Sequence, residues 1–255
     1  MPKKRLIFTL LYADGSFKLS RNFRLQRVGD ALWINKNYKF SAIASSIDEL
    51  IILNVARERG DTKQFCADLQ KVSQGCFVPL ALGGQVRDMN DVALMMASGA
   101  DKIVLNTALF TEPDFVREVI RKYGSQCVVA SLDFKASGDD YQFYADCGRR
   151  KIEISVEAVS EMLADLGVGE IYLNSMDADG TGQGYRLEIL DHMQAVAHLP
   201  IIIAGGAGNF NHLLSGLERA DVDAVATANL FNFVGNGLPS ARSKLLEAGM
   251  DLARW

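Results

Sequence analysis

The chain has 255 residues, 49% of them hydrophobic and 23% charged, with a net charge of −4; this is enough to bury the core of one α/β barrel and leaves no basic surface for nucleic acid. Four cysteines, Cys66, Cys76, Cys127 and Cys147, are too few and too widely spaced for a CxxC pair or a disulfide framework, which fits a reducing cytoplasm. The opening run MPKKRLIFTLLYADG meets Asp14 before it is long enough for a secretory core, and no segment approaches the roughly 20 apolar residues of a membrane span.

Short β-rich runs alternate with amphipathic stretches from end to end, and eight such units predict a closed (β/α)8 barrel, the TIM fold, as one domain over residues 1–255. In chain order the predicted strands are Leu6–Leu11, Glu49–Asn54, Val78–Leu82, Lys102–Asn106, Cys127–Asp133, Glu170–Asn174, Ile201–Ala204 and Ala224–Thr227, each followed by a helix-length segment. Helical spacing is clearest in Val92, Met95, Met96 and Gly99 and in Val156, Val159, Met162, Leu163 and Leu166. The polar insertion Ala136–Lys151, with alternating Tyr141 and Phe143, predicts a small hairpin.

The two halves echo each other. PLALGGQ at Pro79–Gln85 resembles PIIIAGGAG at Pro200–Gly208, with Gly83 and Gly205 122 positions apart, as are Leu11 and Asp133. Half-barrels of about 1–123 and 124–255 predict two ligand-end sites related by a pseudo-twofold axis. Gly83–Gly84 and Gly205–Gly206 fall just past strand ends, where missing side chains let an anion approach backbone amides at a helix start. Asn106–Thr107 and Ala228–Asn229 complete the two cradles. A lone Gly-Gly would read as a tight turn, but two at symmetric places favour phosphate.

Asp133 and Asp177 stand at the ends of inner strands, where barrel enzymes place acids and bases. Asp133 is the first candidate, whereas Asp179 beside Gly180 reads as a turn former. Asn54 and Ser175 offer polar groups to a ligand at neighbouring strand ends, and Thr181 offers its hydroxyl either to the turn or to the ligand. His192, His198 and His212 form no constellation, and neither a metal site nor a cofactor is implied. Arg5, Glu49, Lys102 and Glu170 begin four strands, so two cations and two anions meet at the barrel bottom; spacing alone favours a salt-bridged plug.

The segments DELIILN, GADKIVLNTALF, YGSQCVVASLD, LNSMDADGTGQGY and AGGAG make the chain similar, along nearly its whole length, to the cyclase subunit (HisF-type) of imidazole glycerol phosphate synthase. The resemblance implies a (β/α)8 barrel in a heterodimer with a glutaminase. Ammonia from that partner crosses the barrel to a ribotide with a phosphate at each end. It also implies that Gly83, Gly84, Asn106 and Thr107, and Gly205, Gly206 and Asn229, hold the phosphates, and that Arg5, Glu49, Lys102 and Glu170 form the ammonia gate. Where that family has an acid paired with the equivalent of Asp133, this chain has Leu11; Asn54 replaces an aspartate, Leu19 a lysine and Gln85 a third glycine.

A leucine cannot move a proton, and losing one acid/base group removes about 10²–10⁴-fold of rate. The chain therefore reads as a divergent paralogue. Such proteins stand beside glutaminase-like and amidotransferase-like partners that make acetamidino sugars for bacterial surface polysaccharide. Two alternatives stay open: a cyclase subunit of histidine biosynthesis, and a non-catalytic module that senses ligand and activates its glutaminase. The expected partners are a glutaminase, a sugar amidotransferase and a phosphorylated small molecule, with neither nucleic acid nor membrane.

Overall fold

The computed structural model describes residues 3–38, 43–73, 77–138, 140–228 and 237–253. Eight parallel strands close on themselves: β1 (Arg5–Ala13), β4 (Glu49–Asn54), β5 (Leu80–Gly83), β6 (Lys102–Leu105), β7 (Val128–Ser137), β10 (Glu170–Ser175), β11 (Ile201–Ala204) and β12 (Ala224–Thr227). Each pairs with the next, β12 pairs with β1, and the β7–β10 ladder completes the ring. The fold is a (β/α)8 barrel.

Strand alternation divides the apolar residues into two cores. Ile7, Ile51, Ala81, Val104, Val129 and Ile202 point inward and pack in the barrel lumen. Leu6, Phe8, Leu50, Ile52, Leu82 and Ile103 point outward under the helices. After α1 (Ala31–Tyr38), the helices answer with apolar stripes, as in α2 (Thr62–Ser73), which buries Phe65, Cys66, Leu69 and Val72. The start of α3 (Met89–Ala97) is fixed by Asp88, which accepts from the Asn90 and Asp91 amides. Between Thr107–Thr111 (α4) and Pro113–Tyr123 (α5) the chain restarts on a proline at the first helical turn. Helix α6 (Val156–Leu166) is capped by Ser155 and stopped by left-handed Gly167. Helices α7 (Phe210–Glu218) and α8 (Gly237–Glu247) follow β11 and β12.

The chain departs from expectation in three places. The sixth unit carries no α-helix among the described residues; two 3₁₀ turns, Glu188–His192 and Gln194–Val196, follow β10. Leu190, Met193 and Val196 recur every third residue, the spacing at which 3₁₀ side chains eclipse, and all three are buried. Strand β6 stops at Leu105, so Asn106 sits at the cap of α4.

The third departure is an unanticipated hairpin after β1, formed by β2 (Ser16–Arg21) and β3 (Arg24–Gly29). A second hairpin, β8 (Asp140–Ala145) with β9 (Arg150–Ile152), follows β7 within the polar insertion. In the first, Asn22 and Phe23 both take positive φ (50° and 60°), a turn geometry that Phe does not advertise. Tertiary contacts hold it there. Asp179 accepts from the Asn22 amide through its carbonyl and from the Phe23 amide through its carboxylate. The Phe23 ring lies against Gly148 at the tip of the second hairpin, so the two tips meet.

Ladder registers relate the halves more finely than the sequence echo does. Ile7 faces Glu49 as Val129 faces Glu170, and Leu80 faces Leu50 as Ile201 faces Ile171. The spacing is 122 between β1 and β7 but 121 between β4 and β10 and between β5 and β11, which makes Gly84, not Gly83, the counterpart of Gly205.

Candidate functional site

The C-terminal ends of the strands surround a cavity of about 680 Å³. Leu11 and Leu53 line one wall and Asp133 and Asn174 the opposite one. These are equivalent places, because Leu11 is the ladder partner of Leu53 as Asp133 is of Asn174. Asn174 Nδ2 donates to Asp133 Oδ1 at 2.9 Å, and Asn106 Nδ2 reaches Asp133 Oδ2 at 3.5 Å. Burial pushes the Asp133 carboxyl up to about 7, against the Asn174 hydrogen bond and with help from the charge of Asp179. A group titrating there exchanges protons readily at neutral pH.

The other sequence candidates divide. Asn54, Gly84, Asn106, Thr107, Gly205, Gly206 and Ala228 line the cavity. Asn229 lies outside the described residues. Gly83 is buried within β5 and does not line the cavity; a Cβ there would fall 2.4 Å from the Val104 carbonyl. Gly84 and Gly205 take φ of +80° and +85°, and a Cβ on either would strike the backbone oxygen of Asn54 or Ser175. The Asn106 amide turns from its loop to the Ser131 and Tyr144 carbonyls, and the Thr107 hydroxyl accepts from the Asp146 amide.

Asp177 is exposed and outside the cavity, its carboxylate accepting from the Ala136 amide at the root of the second hairpin. Asp179 lines the cavity in its stead, held by Ser20 Oγ (2.5 Å) and the Phe23 amide, with its pKa raised by burial. Two-residue parity along LNSMDADG does not separate the two, because the chain has already left the strand at Met176. Ser175 and Thr181 are turned into their own loop: Ser175 Oγ accepts from the Ala178 amide and Thr181 Oγ1 donates to the Ala178 carbonyl. Neither lines the cavity.

At the opposite end of the lumen, Arg5, Glu49, Lys102 and Glu170 bond in a closed ring. Arg5 donates to Glu49 (2.9 Å) and to Glu170, and Lys102 to Glu49 (2.9 and 3.0 Å) and Glu170 (2.7 Å). Between ring and cavity Ile7, Ile51, Ala81, Val129 and Ile202 pack the lumen, and above them the Tyr172 hydroxyl lies 3.3 Å from Thr9 Oγ1. Among the described residues no cluster of three His, Cys, Asp or Glu could hold a metal ion, and no helix is long and apolar enough to cross a membrane.

Residues 24–235 match the family described as histidine biosynthesis protein. The chain is 37% identical over 254 residues, covering 99% of both proteins, to "Imidazole glycerol phosphate synthase subunit HisF" of Chlorobium limicola. A 43% identity over 256 residues, 100% of this chain and 95% of the relative, joins it to a protein of Parasynechococcus marenigrum provisionally named imidazole glycerol phosphate synthase subunit hisF2. The chain is a HisF-type member of the histidine biosynthesis protein family.

Within this HisF-type barrel, sequence reading missed Asn174, Cys147 and the arginines Arg57 and Arg87, all of which line the cavity. Asn174 was within reach, since it sits directly across the ladder from Asp133. Cys147 was not: it stands at φ +54° in the second hairpin tip, and only the fold brings that tip over the strand ends.

Proposed function

We propose that this HisF-type chain binds a phosphorylated, ribotide-like ligand at the cavity and uses, or passes on, ammonia supplied through the Arg5–Glu49–Lys102–Glu170 ring by a glutaminase partner in a heterodimer. Its place is a synthase subunit of a glutamine amidotransferase system that feeds a sugar amidotransferase, forming acetamidino groups for bacterial surface polysaccharide. Residues 1–123 and 124–255 act as one domain whose halves each hold one end of the ligand. The single observation that carries this reading is the contrast along one lumen: the ring is complete, while above it a single carboxyl, Asp133, faces Leu11, where the resemblance implies a second acid. An inert plug has no need of a lined cavity over it, and an ordinary ring-closing enzyme has need of a second acid/base group.

The names of the relatives favour a second reading, a cyclase subunit of imidazole glycerol phosphate synthase serving histidine biosynthesis. The leucine wall favours a third, a module that activates the glutaminase without chemistry of its own. Lys102→Met in the complete glutaminase complex separates the two ammonia-using readings from the third. Glutamine-dependent product formation should fall while external ammonium restores part of it; both glutamates keep Arg5, and circular dichroism verifies folding, since losing one partner of a buried pair costs about 3–5 kcal/mol. Full glutamine-dependent activity in a folded, glutaminase-bound variant removes the ammonia route and leaves the activator.

A further inference from the structure

Tyr172 crosses the lumen between the charged ring and the cavity. Around the closed sheet the order runs β10, β11, β12, β1, so Tyr172 and Thr9 stand three strands apart on an eight-stranded ring, nearly across its diameter. Their hydroxyls lie 3.3 Å apart all the same. Threonine is short, so the tyrosine makes the span, passing the inward residues of β11 and β12. Those include Ala204, Ala224 and Ala226, packed in one cluster with Tyr172. Their small side chains leave the room that the aromatic ring fills.

The bar divides two environments. Thr9, Ser131 and Tyr172 line the cavity two residues before Leu11, Asp133 and Asn174 on the same strands, one inward step deeper, and so form its floor. Although they border open space, Thr9 is only 2% and Tyr172 only 4% exposed. Beneath them Ile7, Ile51, Ala81, Val129 and Ile202 are fully buried. Ammonia can travel such a segment only as the neutral molecule, because an ammonium ion in an apolar bore lacks the partners that offset its desolvation. In water at neutral pH ammonia is almost wholly protonated, so a bore that carries it must be kept dry. The Tyr172–Thr9 contact is longer than the ~2.7–2.8 Å usual for two hydroxyls, and the tyrosine ring has the open cavity on its upper side. A molecule that both donates and accepts can enter between the two hydroxyls as the ring yields upward.

We infer that Tyr172 is a water seal across the lumen: it keeps cavity water away from the bore below, and the Tyr172–Thr9 pair passes ammonia up to Asp133 by exchanging its own hydrogen bond for bonds to the ammonia molecule. No covalent bond changes; ammonia crosses neutral, with three N–H donors and one lone pair. This rests on the ammonia reading given under Proposed function and specifies the step between ring and cavity.

Tyr172→Ala and Tyr172→Phe in the complete glutaminase complex, with the family's ribotide as acceptor, test it. In each, the rate with glutamine is divided by the rate with saturating ammonium, which enters from the open top. Tyr172→Ala opens the bore to water and should lower that ratio about tenfold against wild type, whereas Tyr172→Phe keeps the bulk, loses one hydroxyl and should stay within about threefold. Division by the ammonium rate cancels a general loss of activity. Tyr172→Leu, too short to reach Thr9, replaces the alanine variant if circular dichroism shows that one to be unfolded. An unchanged ratio in the folded short variant overturns the inference and leaves the ammonia route standing, as does ordered water between Tyr172 and the ring in a crystal structure of the wild-type chain. Glutamine-dependent product from the short variant but not from wild type makes Tyr172 a fixed plug, which overturns the inference and the wild-type route together. Product from ammonium alone in every variant, or from neither source, removes the ammonia route itself and overturns both.

Discussion

The wall built by β1 and β4 and the wall built by β7 and β10 occupy equivalent places in the barrel, yet one presents Leu11 beside Leu53 and the other Asp133 beside Asn174. Equivalent backbone geometry thus frames an apolar surface on one side and a hydrogen-bonded carboxyl on the other. The difference teaches that a parallel ladder fixes where side chains project but leaves their chemistry free. Backbone amides and glycine turns persist in both halves, because a Cβ at Gly84 or Gly205 would collide with the neighbouring strand whatever the ligand. Of these four wall residues, only Asp133 carries a group that can exchange a proton near neutral pH.

Removing the polar wall should have the largest effect. Asp133→Asn should lower any ammonia-dependent turnover by about 10²–10⁴-fold, measured with saturating ammonium so that the ring does not limit. Unchanged turnover would mean that Asp133 handles no proton and that neither wall is chemical.

The same substitution should alter stability with pH. Burial holds the folded-state carboxyl at about 7, against an ordinary value of about 3.9. Its protonated form therefore contributes stability that is full below the unfolded value and is lost as pH rises through 7. The loss is at most about 4 kcal/mol at 1.36 kcal/mol per unit, lowered by water in the open cavity. Urea titrations between pH 4 and 8 should show wild type weakening relative to the Asp133→Asn variant, and parallel curves would contradict the raised carboxyl.

Making the walls alike is a smaller change. Leu11→Asp puts a second carboxyl opposite Asp133 and should raise ring closure of the family's ribotide with ammonium by about tenfold or more. No gain would place the defect at the phosphate ends. The smallest expected effect lies at the ends themselves. Gln85→Gly relieves a side-chain-bearing residue at φ +59° and should shift the unfolding midpoint up by about 1 kcal/mol or less, net of the lost Gln85 hydrogen bonds. A loss above about 1 kcal/mol would show that those bonds hold the loop together.

The (β/α)8 order was legible because strands buried on both faces read as continuous apolar runs and helices as stripes, signals that need only neighbours along the chain. Asp133 was legible as the polar end of such a run. The first hairpin was not, since Phe23 at positive φ is held by Asp179 from a loop over 150 residues away. For the same reason Asp177 and Asp179 exchanged the roles that local turn chemistry suggests. Asn174 lay one ladder step from Asp133, but only a register makes that step visible.

By itself, then, the amino-acid sequence determined the number and order of units and the four charged residues that open β1, β4, β6 and β10, since each follows from residue type and spacing. Tertiary structure alone decided that Gly84 and not Gly83 answers Gly205, and that Asp179 and Cys147 reach the cavity. Those outcomes depend on strand register and on hairpins folded over the barrel mouth. Register is set by backbone ladders between segments far apart in the chain, where a shift of a single residue turns a side chain from the cavity to the opposite face of the sheet.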